Sequence, residues 1–203
     1  MNPKPSGIWW PYGGQHLMHE SVGAYLLSRW GDPAGRIRFE VEGLSIQVWK
    51  WDAATTGEGV DVYVTVGAAG GAPTHSPGTV DHRAEFLLGL RPGQDAVASP
   101  FAALGLYGHR NGVTIADGHT VPSDGPLWPG TEMMAFLIRE QEAIIPTVRL
   151  SDGSHVHFLQ AMPLHESELQ YKRRHGMDAL TAHWEERLVP FWDSERGPDA
   201  PTF

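Results

Sequence analysis

The alternation of apolar and polar residues changes period several times along the chain, and each change marks an element. Between Gln15 and Trp30, Leu17, Ser21, Ala24 and Leu27 recur at the spacing of one helical face, and Gly31-Asp32-Pro33 supplies the stop. The period then drops to two. Ile37, Phe39 and Val41 alternate with Arg36, Arg38, Glu40 and Glu42; after Gly43, Leu44, Ile46 and Val48 alternate with Ser45, Gln47 and Trp49. Two such runs about a glycine predict a β-hairpin. A third strand has Val60, Val62, Val64 and Val66 on one face and Asp61, Tyr63 and Thr65 on the other. A Gly/Ala-rich loop from Gly67 to Ala72 runs on through Pro73 to about Val80, and Arg83 to Leu90 reads as a fourth strand closed by Arg91-Pro92-Gly93.

The second half repeats the mixture. A short helix is predicted from Pro100 to His109, with Phe101, Leu104 and Gly108 facing inward, followed by a loop-rich stretch from Asn111 to Gly130. Met133–Ile138, Thr147–Leu150 and His155–Met162 give three more strands, the last two joined by the hairpin signal Asp152-Gly153. A helix from about Ser167 to His175 stops at Gly176, and Met177, Leu180, Trp184 and Leu188 form the stripe of a final one. No repeat or internal linker interrupts the pattern. The expected architecture is a single α+β domain with a mostly antiparallel, mixed sheet flanked by helices. It occupies residues 15–197, between an N-terminal arm (1–14) and a short tail (198–203).

Composition narrows the chemistry. The 203-residue chain is long enough to bury a full core, and it has no cysteine. Disulfide scaffolds, thiolate metal sites and thiol nucleophiles are therefore excluded. A net charge of −9 opposes binding to a bare phosphate backbone, so nucleic acid is not an expected partner. The start lacks a secretory apolar segment and no run approaches membrane-spanning length, which predicts a cytoplasmic protein without membrane contact.

Candidate sites are each matched by a plainer reading. His155 and His157, two apart on a strand, share a face and could reach one metal ion with His119, as in a metal-dependent hydrolase; the same pair also suits an amphipathic strand. Asp117-Gly118-His119-Thr120 reads as a loop with His119 bonded to backbone rather than as part of a triad. Gly67-Ala68-Ala69-Gly70-Gly71 follows a strand but lacks the order of a phosphate loop. Glu166 and Glu168 suit a helix N-terminus, with Glu168 placed to pair with Lys172. Asp81 and Glu85 flank Arg83. Trp9, Trp10, Trp49 and Trp51 are too many for one strand face; they suggest either an interface or a second core layer beneath a helix. No cofactor-binding pattern is present.

Several segments in fixed order resemble the Suppressor of fused family: Asp61-Val62-Tyr63-Val64-Thr65-Val66-Gly67, Arg83-Ala84-Glu85-Phe86-Leu87-Leu88-Gly89-Leu90, and the helix around Ala102-Ala103-Leu104-Gly105-Leu106-Tyr107. Asp117-Gly118-His119-Thr120-Val121-Pro122 is similar to a loop of bacterial members. Val156 to Leu169, continuing into Gly176-Met177-Asp178-Ala179-Leu180, and the closing Phe191-Trp192-Asp193-Ser194-Glu195-Arg196 complete the series. The resemblance implies a single-domain, bacterial-type member that binds rather than catalyses. The animal protein sequesters Gli-type transcription factors through a peptide, and bacterial members are thought to neutralise cognate toxins. It places Gly67–His82 on the peptide-binding side, where a partner strand would add to an open sheet edge. Asp81, His82, Glu85, His119, Trp192, Asp193 and Arg196 are the expected partner-binding region. Asp193 and Arg196 have a second reading, as an internal salt bridge that docks the tail. Three functions follow: an immunity protein that occludes a toxin, a His-based metal hydrolase, or a regulatory domain that holds a peptide of a host protein.

Overall fold

A computed structural model describes residues 12–41, 43–70, 82–150 and 153–200. Helix α1 (Tyr12–Trp30) precedes a meander of β1 (Gly35–Val41), β2 (Leu44–Trp51), a one-turn α2 (Ala53–Thr56), β3 (Asp61–Val66) and β4 (His82–Leu90). Helix α3 (Ala98–Asn111) then leads to β5 (Thr120–Pro122), β6 (Met133–Arg139), β7 (Val148–Arg149) and β8 (His155–His165), and the chain closes with α4 (Glu166–His175) and α5 (Met177–Arg187). The sheet order is β1-β2-β3-β4-β8-β6-β5, with β7 also paired to β8. All neighbours are antiparallel except β4 and β8, which run parallel at the centre. The α+β domain expected from the sequence is the one formed.

Both faces of the sheet are covered. On one, Phe101, Leu104 and their neighbours in α3 pack on Ile46, Val48, Tyr63, Phe86, Leu88 and Phe136. On the other, Met18, Val22 and Leu26 of α1 cover Trp49, Trp51, Val62, Val64 and Phe158. Alongside them α4 and α5 cover Ala135, Leu137, Met162 and Leu164.

This double cover corrects the reading of β3 as an amphipathic strand. Asp61, Tyr63 and Thr65 are buried as well as the valines. Their polar groups are satisfied locally: Lys50 bridges Asp61 (3.0 Å) and Asp95 (2.7 Å), and the Tyr63 hydroxyl donates to Asp95 (3.2 Å). Burial works against the Lys50 ammonium, but its bonds to Asp95 and Asp61 outweigh that and hold its pKa above the usual lysine range.

The buried face of α1 coincides only in part with the predicted stripe, of which Leu27 packs partly buried against the core. Met18, Val22 and Leu26 are inside while Ala24 is exposed. The cause is Gly23, where a Cβ would lie 2.9 Å from Trp49 Cη2; the missing side chain lets the indole press against the helix backbone and fixes the rotation. In α3, Phe101 and Leu104 are inward as expected, whereas Gly108 is only partly buried and Gly105 makes the close approach to the sheet, against Ile46. Leu188 does not extend the α5 stripe. The helix ends at Arg187, Leu188 adopts φ 52° and is exposed, and the turn returns Val189 to the core with its N–H on Trp184 O (2.9 Å).

Of the tryptophans suggested for an interface, Trp49 and Trp51 form the second core layer instead, 6% and 0% exposed under α1. Trp9 and Trp10 lie outside the described residues. Trp51→Ala should therefore cost about 3–5 kcal/mol in urea unfolding, the range for removing a large buried aromatic. The half-exposed Trp192→Ala should cost under about 1 kcal/mol.

Candidate functional site

The expected partner-binding residues do not form one surface. His82 opens β4, while Trp192 lies against the residue after its last, its carbonyl accepting from Arg91 N–H (3.0 Å). A nine-residue strand at about 3.3 Å per residue separates these two places by roughly 30 Å. Asp81 lies outside the described residues.

Glu85 is not a surface residue. It is 1% exposed, and its carboxylate accepts from the Thr65 hydroxyl (2.6 Å) and from the N–H groups of Gly67 (2.8 Å), Ala68 (3.1 Å) and Ala69 (3.1 Å). Successive N–H groups in a tight turn make an anion-binding nest. Here the nest after β3, considered as a phosphate loop, holds the chain's own carboxylate. Gly67 has φ +124°, and a Cβ there would come within 2.8 Å of His19 Nε2, so the turn requires glycine. Burial pushes the Glu85 carboxyl up to about 7, against the pull of these four donors.

Arg196 is likewise internal, 8% exposed, and it pairs with Glu168 rather than Asp193. One guanidinium nitrogen meets Glu168 Oε2 (2.9 Å) and Pro163 O (2.9 Å), and the other meets Glu168 Oε1, a two-pronged clamp. Glu168 in turn caps α4 by accepting from His165 N–H (2.8 Å) and holds the tail through Asp199 N–H (3.1 Å). The His165 ring donates from Nε2 to Arg196 O (3.0 Å). The expected docking of the tail by a salt bridge is formed, with different partners: Asp193 pairs with Arg91 (3.0 Å), and Glu168 takes Arg196 in place of Lys172. Sequence reading missed His165 and Glu168 as a unit, although their three-residue spacing is that of a capping box.

The remaining expected residues are open. Trp192 is 40% exposed and stands edge-on to Phe191, and His119 is exposed with Nδ1 accepting from Ala116 N–H (3.3 Å). His119 immediately precedes β5, an edge strand paired only on its β6 side among the described residues. Beside it, α3 and β5 border a cleft of about 430 Å³. Leu104, Val121, Leu127 and Phe136 form its apolar lining, and Tyr107, Arg110 and Asp124 bring polar groups to it. The strands that flank Gly67–His82, β3 and β4, each have neighbours on both sides, so neither offers the open edge expected there. Among the described residues the sheet order ends in β1 and β5, each paired on one side, and the short β7 pairs with β8 alone.

Metal chemistry finds no centre among the described residues, where no three His, Asp or Glu side chains converge. His157 Nδ1 meets the Thr147 hydroxyl (3.0 Å), and His119 lies on a different strand edge. No described helix is long and apolar enough to cross a membrane.

The family model for Suppressor of fused protein matches residues 40–197, most of the chain. The chain belongs to the Suppressor of fused family. Its fold is similar to that of a Suppressor of fused homologue from Neisseria gonorrhoeae, at 17% identity and TM-score 0.71 over 92% of this chain and 98% of that one. It is also similar to a chain of the Sufu–Fu complex, at 12% identity and TM-score 0.65 over 91% of each chain. Drosophila Suppressor of Fused matches at 12% identity and TM-score 0.59, over 85% of this chain but 47% of its own length. No curated protein sequence matches the chain.

The Glu85 geometry gives a pH dependence. Its folded pKa lies above the ordinary 4.5, so the folded state binds the proton more tightly than the unfolded state. The resulting stability is fully present below pH 4.5 and is lost as pH rises towards 7. Unfolding of the wild type at intervals across this window should show that decline, and Glu85→Gln, which cannot titrate, should lack it. Parallel profiles for the two proteins would contradict the assignment.

Proposed function

We propose that this Suppressor of fused family member is a non-enzymatic binding protein that neutralises a toxin in the cytoplasm by covering its working surface. The observation that carries the reading is the coincidence, in a chain of this family, of the open β5 edge with the apolar cleft beside α3. A strand of the partner added to β5 would make main-chain hydrogen bonds there and lower alternate side chains towards Val121 and Phe136. Pro122 contributes no N–H to that edge, so the added strand would pair mainly around Thr120. The charge of −9 favours a basic toxin, because opposite potentials speed encounter and suppress wrong partners. His119 and Trp192 are the expected contacts that remain accessible, with His119 at the start of the strand that would be extended.

A second reading has its own support in the Sufu–Fu complex among the similar structures. On this reading the β5 edge would hold an extended segment of a regulated host protein.

The test is co-expression with any toxin-like protein encoded beside the gene. Growth should be restored and the two chains should purify together. Ala103→Arg places a charged side chain in the cleft from an exposed position, and should weaken binding at least about tenfold without lowering the melting temperature. Failure to bind any neighbouring toxin, with retention of a short extended peptide, would favour the second reading. Undiminished toxin binding by Ala103→Arg would remove the cleft from the mechanism.

A further inference from the structure

The opposite edge of the sheet carries a different feature. Strand β1 is seven residues long, its outer side pairs with no strand among the described residues, and most of its side chains are exposed, Ile37 by 45%. A long, regular, open edge is a template for another strand, and proteins usually blunt such edges with proline, a bulge or charged side chains. The charges on β1 are of both signs, so in a suitable register they complement a second copy instead of repelling it. Here the register of β1 on β2 is unbroken from Gly35↔Lys50 to Val41↔Leu44 and contains no proline.

The pairing parity says which residues are available. Val41 and Leu44 close a two-residue hairpin and so exchange hydrogen bonds, as do Phe39 with Ile46 and Ile37 with Val48 at every second position. The N–H and C=O groups of Arg36, Arg38 and Glu40 therefore point away from β2. Arg38 and Glu40 are also well exposed, at 63% and 68%, and within one chain they form only a surface ion pair (2.9 Å).

We propose that β1 pairs antiparallel with β1 of a second copy of this chain, about a two-fold axis at Phe39. This register sets Arg38 against Glu40 of the other copy twice by symmetry, and these are the residues whose main-chain groups face outward. About four main-chain hydrogen bonds result. It also sets Ile37 against Val41 and Phe39 against its own copy, on the face where Phe39 and Val41 already pack on the core beneath α3. The exposed part of Ile37 is thereby covered. Shifting the axis to Arg38 or Glu40 would place like charges directly opposite each other, which disfavours those registers. The two sheets would join into one continuous sheet, with the β5 edges left free at its two ends. The inference is independent of what binds at β5.

Analytical ultracentrifugation of the full chain over a concentration series tests it. The wild type should form a species of twice the 22.3 kDa chain mass. Arg38→Glu and Glu40→Arg, each creating two like-charge pairs across the axis, should each weaken dimerisation by about tenfold or more. The double exchange, R38E with E40R, should restore it. Both positions are exposed, so circular dichroism of the variants should match the wild type. A wild type that stays monomeric at the highest concentration, or a dimer unaffected by the single substitutions, would overturn the proposal. So would a double exchange that fails to recover.

Discussion

The parallel pairing of β4 with β8 is the constraint on which the rest of the structure depends. It is the one junction between two antiparallel halves, β1–β4 on one side and β8-β6-β5 on the other. A parallel neighbour cannot be reached by a tight turn, so the chain between Leu90 and His155 must leave the sheet and return. That path leaves the sheet through α3, which covers one face, and rejoins it beyond β8 through β5, β6 and β7. The opposite face is closed by the two ends of the chain, α1 over β2–β4 and α4–α5 over β6–β8. Once β4 and β8 are paired, both are buried on both faces, and their polar groups need internal partners.

Two buried carboxylates show how that need is met. Glu85, on β4, receives the turn that follows β3, and Glu168, just beyond β8, receives the C-terminal segment through Arg196. Each ties a long connection to the central pair. Leaving such a carboxylate, or the donors around it, without partners would cost several kcal/mol, so these contacts fix where the connections run more than they add net stability. The polar residues that looked most available for binding in the sequence thus belong to the scaffold. The proposed recognition therefore uses the sheet's outer edges and the cleft beside β5.

Most elements were legible because period-two and helical spacing survive in them; β5 was not, because its three residues carry no period and lie in the stretch read as loop. The hairpin of β1 and β2, the strand at Arg83–Leu90 and the stop at Gly176 all follow from local pattern. Second-face burial was legible only as one of two alternatives for Trp49 and Trp51, and not at all for Tyr63 and Thr65. Tyr63 and Thr65 look solvent-facing only if α3 is absent, and Trp49 and Trp51 look like an interface only if α1 is elsewhere. The site suffered for the same reason: Glu85 and Arg196 are charged in the sequence, and only the tertiary return of the Gly67 turn and of the tail shows that their charges are satisfied internally. His119 stands out in the sequence through its loop motif, whereas the cleft that borders the following strand is assembled from residues between Pro100 and Phe136 and has no local signature.

Native-state hydrogen exchange tests the central place of the β4–β8 pair most directly. Phe86 and Leu87 on β4 and Phe158, Leu159 and Gln160 on β8 should be among the slowest-exchanging amides, opening only with global unfolding at one common free energy. If the β1–β4 meander instead retained its protection while β8 and β6 exchanged through a separate, lower-energy opening, the two halves would be independent units and the account would be wrong.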